Sequence, residues 1–304
     1  MRQGNSIAAG LCLRRPTMPD LRGGAEPPTV VLEHDRATVP PFNEAGAVKA
    51  ESGDLVSRPI INAFGEFADK TTEHPVLTGS MGSGKTRETA AEVSRTVNDG
   101  VNIICLPRRK LAVNQQRSYS AVYGRCVFEG RIPSNLSDCE TDALRANIAA
   151  LDARIVGTER SGNMDVATRE QQLARLGTGY VVYSKADKHL KHKNVKAIAA
   201  RGVGTIIGLP KQMPMISKCL GAVKINFFIT DEVKCLTQMI GTKVLNDVPS
   251  FVSLQKISSA ARRLIFLDAD FFFGTQPLDF AHFLLQGRSD TRDRLVIHKF
   301  SHVK

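Results

Sequence analysis

Gly79-Ser80-Met81-Gly82-Ser83-Gly84-Lys85-Thr86 has the spacing G-x-x-x-x-G-K-[ST]. The apolar segment Pro75-Val76-Leu77 precedes it. A helix-compatible segment follows, from about Lys85 to Val97, and stops at Asn98-Asp99-Gly100, where the glycine suits a C-cap. Strand, glycine-rich turn and helix in that order make a phosphate-binding loop. Gly82 and Gly84 let successive N–H groups turn inward onto phosphate oxygens, with Gly79 and Ser83 in the same cradle. The positive end of the following helix dipole adds to this. In such a loop Lys85 reaches the β- and γ-phosphates and the Thr86 hydroxyl ligates Mg²⁺. The expected ligands are therefore a nucleoside triphosphate and Mg²⁺.

A phosphate loop needs a second, acidic element at the end of a neighbouring buried strand. Ile225-Asn226-Phe227-Phe228-Ile229-Thr230-Asp231-Glu232 has that form. Open α/β sheets gather ligands at the carboxyl ends of their strands. Asp231 is assigned to Mg²⁺ through water, and Glu232 to the attacking water as general base. Leu264-Ile265-Phe266-Leu267-Asp268-Ala269-Asp270 is another apolar run ending in acids. It would lie beside the metal-site strand, with Asp268 and Asp270 sensing the γ-phosphate. The bland alternative makes the two acids N-caps of the next helix.

Working outward, short apolar runs alternate with amphipathic ones. Strands are predicted at Pro75–Thr78, Asn102–Leu106, Tyr180–Tyr183, Gly204–Ile207, Asn226–Thr230, Leu264–Leu267 and Leu295–His298. Buried strands separated by helices predict an α/β fold, a mostly parallel sheet with helices on both faces. Residues 1–56, rich in Pro, Gly and Ala, read as a flexible arm with one short strand at Thr29-Val30-Val31-Leu32. Residues 57–304 form the lobe. Within it, 137–176 is a polar helical insert in which Leu144, Ile148, Leu151 and Ile155 repeat at helical spacing. Its Arg145, Arg154, Arg169 and Arg175 either contact nucleic acid or belong to a solvated helix face.

The 304 residues carry a formal net charge of +11, which points first to nucleic acid as a polyanionic partner. Trp is absent and Tyr occurs four times, so rows of aromatic stacking platforms are excluded in favour of phosphate and sugar contacts. No run approaches the length of a membrane span. None of the six cysteines forms a C-x-x-C pair, which fits free thiols in a reducing compartment, cytoplasmic or nuclear.

The order of Gly79–Thr86, then Leu106-Pro107-Arg108-Arg109-Lys110-Leu111-Ala112, then Thr205-Ile206-Ile207-Gly208-Leu209-Pro210, then Asp231-Glu232-Val233, then Asp268-Ala269-Asp270 resembles the first RecA-like lobe of superfamily 2 helicases. Within these it looks most like herpesvirus-type replication origin-binding helicases and related phage and plasmid replication proteins. The resemblance covers about residues 57–304. It implies an ATPase that couples ATP to DNA strand binding, on a single strand or at a replication origin. Arg108 and Arg109 would contact the sugar-phosphate backbone, and two Arg with Lys110 at a strand's carboxyl end suit phosphate without any analogy. Thr205 and Lys211 match a second backbone-contacting segment. Lys185–Lys193 offers further Lys and His, or else is a solvated loop. The chain runs about 34 residues past Asp270, short of a second RecA-like lobe. The resemblance therefore implies a second polypeptide, or a truncated product, with turnover dependent on it. A non-hydrolysing ATP- and DNA-binding lobe and a DNA-packaging ATPase remain as alternatives. DNA against RNA, ATP against GTP, polarity and oligomeric state are open at this point.

Overall fold

The computed structural model describes residues 29–34, 72–79, 85–157, 162–183, 188–240, 248–269, 276–288 and 293–300. The strands are β1 (Thr29–His34), β2 (Glu73–Gly79), β3 (Val101–Cys105), β4 (Val181–Tyr183), β5 (Gly204–Gly208), β6 (Ile225–Asp231), β7 (Ala261–Asp268) and β8 (Arg294–Phe300). They form one sheet in the order β1-β8-β2-β7-β6-β3-β5-β4. Every ladder in it is parallel. All carboxyl ends therefore open on one edge of the sheet.

The helices are α1 (Lys85–Arg95), α2 (Arg109–Phe128), α3 (Asp138–Gly157), α4 (Gly162–Leu176), α5 (Lys188–Arg201), α6 (Met213–Leu220), α7 (Val233–Gln238), α8 (Val248–Ala260) and α9 (Gln276–Gln286). Successive strand residues point to opposite faces, and the two cores divide accordingly. Val76, Ile103, Phe228, Leu264 and Phe266 pack with Ile198, Ile216, Leu236, Leu254 and Phe280 of α5 to α9. Leu77, Ile104, Phe227, Ile229, Ile265 and Leu267 pack with Val93, Tyr119, Ile148 and Leu173 of α1 to α4. The expected architecture, a parallel sheet with helices on both faces, is the one observed. Strands covered on both sides need apolar residues at every position, which is why their runs are continuous rather than alternating.

β1 pairs along its whole length with β8, so the short strand expected in the arm belongs to the lobe's sheet. The insert is a hairpin of α3 and α4 laid on α2. Leu144, Ile148 and Leu151 are buried, and Ile155 is half-buried. Gly124 of α2 and Gly177 after α4 allow the close approach: a Cβ on Gly124 would fall 1.6 Å from the Leu173 carbonyl oxygen, and one on Gly177 1.8 Å from that of Ser120. Three of the four insert arginines are engaged locally. Arg145 donates to the Val127 carbonyl at 3.2 Å, Arg154 pairs with Asp165 at 2.6 Å, and Arg169 pairs with Asp152 at 2.5 Å. Arg154 and Arg169 join α3 to α4, and Arg145 joins α3 to the end of α2.

Candidate functional site

The phosphate loop joins β2 to α1. Residues 80–84, with Gly82, Ser83 and Gly84 among them, lie outside the described residues, as does Asp270. Gly79, Lys85 and Thr86 frame the gap. Lys85 Nζ donates to the Gly79 carbonyl at 2.6 Å, so the ammonium folds back over the end of β2. Burial lowers its pKa, while Asp231 and then Asp268 act to raise it. These three charges share one environment.

β7 lies between β2 and β6, with Thr78 level with Asp268 and Leu267 level with Asp231. The Asp268 strand thus sits beside the Asp231 strand, as the sequence predicts. The Asp268 carboxylate accepts from the Lys234 backbone N–H in the first turn of α7. Thr78 Oγ1 donates to the Ala269 carbonyl at 3.2 Å, joining the turn after β7 to the end of β2.

Asp231 accepts three hydrogen bonds from described residues. Its Oδ2 accepts from Thr86 Oγ1 at 3.2 Å and from Gln115 Nε2 at 2.8 Å. Its Oδ1 accepts from the Glu232 backbone N–H at 2.9 Å. Although Asp231 keeps some solvent contact, the protein packed around it pushes its pKa up to about 6, against the hydrogen bonds from Glu232 and Thr86 that favour the carboxylate. A nearby cation would reverse that shift. Thr86 and Asp231 are hard oxygen donors, and two adjacent ligands on an octahedral Mg²⁺ at about 2.1 Å stand about 3.0 Å apart. Their spacing and chemistry fit Mg²⁺.

Glu232 follows in the left-handed region, φ 55 and ψ 52, as the N-cap of α7. Among the described residues it is the one non-glycine with positive φ. A β-carbon there costs about 1–2 kcal/mol, and such strain gathers at functional sites.

Gln115 is absent from the sequence reading. It lies on the buried stripe Ala112, Gln115, Tyr119 of α2, with 7% exposure. A glutamine on an otherwise apolar stripe is the signal that could have found it. Its Oε1 is buried with no hydrogen-bond partner among the described residues.

Arg108, Arg109 and Lys110 are exposed at the start of α2, which has no acid in its first turn. Three cations at the positive end of a helix oppose its dipole, so local stability does not explain them. Burial and then Glu232 raise the Cys235 pKa, and Arg108 is close enough to oppose them; burial raises the Tyr183 pKa, and Arg109 opposes it in the same way. The basic cluster therefore borders the acidic one. Lys211 is exposed in the 3₁₀ turn Pro210–Gln212 at the end of β5. Thr205 is a correction: it is 0% exposed, and its hydroxyl is 3.0 Å from that of Tyr123 inside the protein. It lies at the second position of β5, far from the strand end, and cannot reach a nucleic-acid strand. Residues 184–187 lie outside the described residues, and from Lys188 onward the basic run forms α5 rather than a loop.

No protein-family model and no curated protein matches the chain. Among solved structures it is similar to a hypothetical ATP-dependent RNA helicase from Sulfolobus tokodaii, with 11% identity and a TM-score of 0.40, over 79% of this chain and 56% of that one. It is also similar to the DEAD-box helicase Mss116 bound to ssRNA and UDP-BeF, with 10% identity and a TM-score of 0.46, over 91% of this chain and 48% of that one. The chain spans about half the length of each. No described helix is long and apolar enough to cross a membrane.

Proposed function

We propose that this chain is the RecA-like, ATP-binding motor lobe of a nucleic-acid helicase, coupling Mg-ATP binding and hydrolysis to its hold on one strand. The observation that carries this is the Thr86–Asp231 hydrogen bond, which joins the helix after the phosphate loop to the acidic end of β6. In this reading Lys85 leaves the Gly79 carbonyl and turns to the β- and γ-phosphates, while Thr86 and Asp231 hold the metal. Bound Mg²⁺ neutralises charge on the phosphates. Glu232 takes the proton of the attacking water. Asp268, with Asp270, relays the triphosphate state to α7 through the Lys234 N–H.

Arg108, Arg109, Lys110 and Lys211 hold the strand's phosphates from the same edge of the sheet. The net charge of +11 supports a polyanionic partner. The finer reading, a DNA replication helicase of the origin-binding type whose second lobe comes from further sequence or another polypeptide, rests on the order of the motifs.

The test is ATP hydrolysis by the purified chain, alone and with single-stranded DNA or RNA, beside Lys85→Ala. DNA-stimulated turnover lost in the variant supports the motor. Stimulation by RNA alone changes the strand it works on. Mg²⁺-dependent ATP binding without turnover makes it a half-motor that needs a second lobe. Absence of Mg-ATP binding overturns the reading.

A further inference from the structure

Gln115 has one committed end and one open end. Its Nε2 donates to Asp231 Oδ2 at 2.8 Å, and its Oε1 is buried and has no partner among the described residues. The orientation is fixed by chemistry: a carboxylate only accepts, so the amide nitrogen must face it and the oxygen must face away. A buried acceptor without a donor is costly and is kept where a partner arrives. The buried amide oxygens of Asn102, Asn226 and Gln172 also have no partner among the described residues. Asn102 and Asn226 are each the second residue of their strand, at the opposite edge of the sheet from the site, and Gln172 lies in the insert on α4. Of the four, Gln115 is the one bonded to Asp231, beside Thr86.

The missing partner has to bring a proton. A phosphate oxygen of a triphosphate brings none and would be repelled by a carbonyl oxygen. Water held by a divalent cation brings strongly polarised O–H donors, and Mg²⁺ keeps several such waters when it binds. We propose that Gln115 is a positioning residue for a hydrated divalent cation: Nε2 holds the Asp231 carboxylate in place and Oε1 accepts from a water in the cation's inner sphere. This rests on the reading of Thr86 and Asp231 as the metal side of a nucleotide site. One amide then sets both the anionic ligand and the water next to it. Partners of metal ligands act in this way, and their loss lowers metal affinity by about 10–100-fold.

The test uses the full chain with Mn²⁺ as probe. Free Mn²⁺ is followed by electron paramagnetic resonance at saturating ADP, and binding of a fluorescent ADP analogue is measured separately in EDTA. Gln115→Met, close in shape but without polar groups, should weaken Mn²⁺ binding by about tenfold or more while leaving ADP affinity in EDTA within about twofold. Where Gln115→Met does not fold, Gln115→Asn withdraws the same amide by one methylene and should give the same metal-specific loss. Unchanged Mn²⁺ affinity overturns the proposal, and so does an equal loss with and without metal, which a merely structural role would produce. Wild-type protein that binds neither ADP nor Mn-ADP would overturn the nucleotide reading, and this inference with it.

Discussion

Thr86 and Asp231 are 145 residues apart in the chain and 3.2 Å apart at the site. The distance is closed by sheet order: β7 alone separates the strand before the phosphate loop from the strand that ends in Asp231. Lys85 stands in the same place, drawn by Asp231 and Asp268. Lys85→Ala is expected to weaken Mg-ATP binding by one to two decades, since hydrogen bonds to charged groups contribute about 1.5–3 kcal/mol. A titration with a fluorescent ATP analogue checks it. Undiminished affinity would show that Lys85 does not reach the phosphates.

Glu232 separates chemistry from strain. Glu232→Gln should retain ATP binding and remove hydrolysis, because an amide cannot take a proton from water. Normal turnover would mean the base is another residue. Glu232→Gly should also remove turnover, yet raise the melting temperature, since glycine occupies φ 55 freely. The expected gain is about 1 kcal/mol. A lower melting temperature would show that the Glu232 side chain stabilises the turn by more than its backbone strains it.

The cluster at the start of α2 predicts a salt effect. Each phosphate contact on a single strand adds about 0.7 to the slope of log affinity against log salt. Replacing both Arg108 and Arg109 with Ala should therefore flatten the slope by about 1.4 and weaken binding alike across sequences. Anisotropy titrations at several salt concentrations measure it. An unchanged slope would remove the cluster from the nucleic-acid interface.

Much of this could be read in the sequence because parallel strands buried on both faces leave an unmistakable record. Ile225–Asp231 and Ala261–Asp268 are apolar almost throughout, and their terminal acids mark the edge where ligands gather. Sheet order left no local trace: nothing in Leu264–Asp268 says that it runs between Val76 and Ile229. Thr205 misled because motif position was read without strand position, and the second residue of a buried strand faces protein. Gln115 was hidden for a related reason. Its function depends on Asp231, a contact across 116 residues, and helical periodicity records only that one polar residue faces inward. The Gly124–Leu173 contact also joins residues distant in the chain, and a glycine inside a helix reads as a weakness until the neighbouring backbone is known.

His74 ties stability to pH at the other end of the sheet. It is 0% exposed. Its Nδ1 accepts from the Leu264 backbone N–H at 3.1 Å, and its Nε2 faces Asp293 Oδ1 at 3.1 Å. Burial holds its pKa below the ordinary 6.5, with the Asp293 hydrogen bond acting the other way and Arg288 adding to the lowering. Below pH 6.5 the unfolded chain takes up a proton that the folded chain refuses. The stability linked to His74 is therefore complete above pH 6.5 and is lost as pH falls toward the folded pKa, by at most about 1.4 kcal/mol per pH unit. Urea unfolding between pH 7.5 and 5 should show this decline, and His74→Gln should flatten it. Identical pH slopes in the two proteins would exclude His74 as the source.

Gly124 tests how tightly the insert is docked. A methyl group there would point at the Leu173 carbonyl oxygen, 1.6 Å from its Cβ, where no side chain can rotate out of the way. Backbone must move, and α4 is held from its other side by α3 through the Arg169–Asp152 and Arg154–Asp165 pairs. In an isolated helix Gly→Ala stabilises by about 1 kcal/mol. Here overpacking, at about 1–3 kcal/mol and sometimes more, opposes it, and a contact this short falls at the upper end. Gly124→Ala should therefore lower stability by about 2 kcal/mol, read from the urea midpoint, and speed amide exchange in α3 and α4 more than in α8 and α9. A stabilised variant would mean that the hairpin stands off α2 in solution and that the close crossing of α2 and α4 does not hold it there.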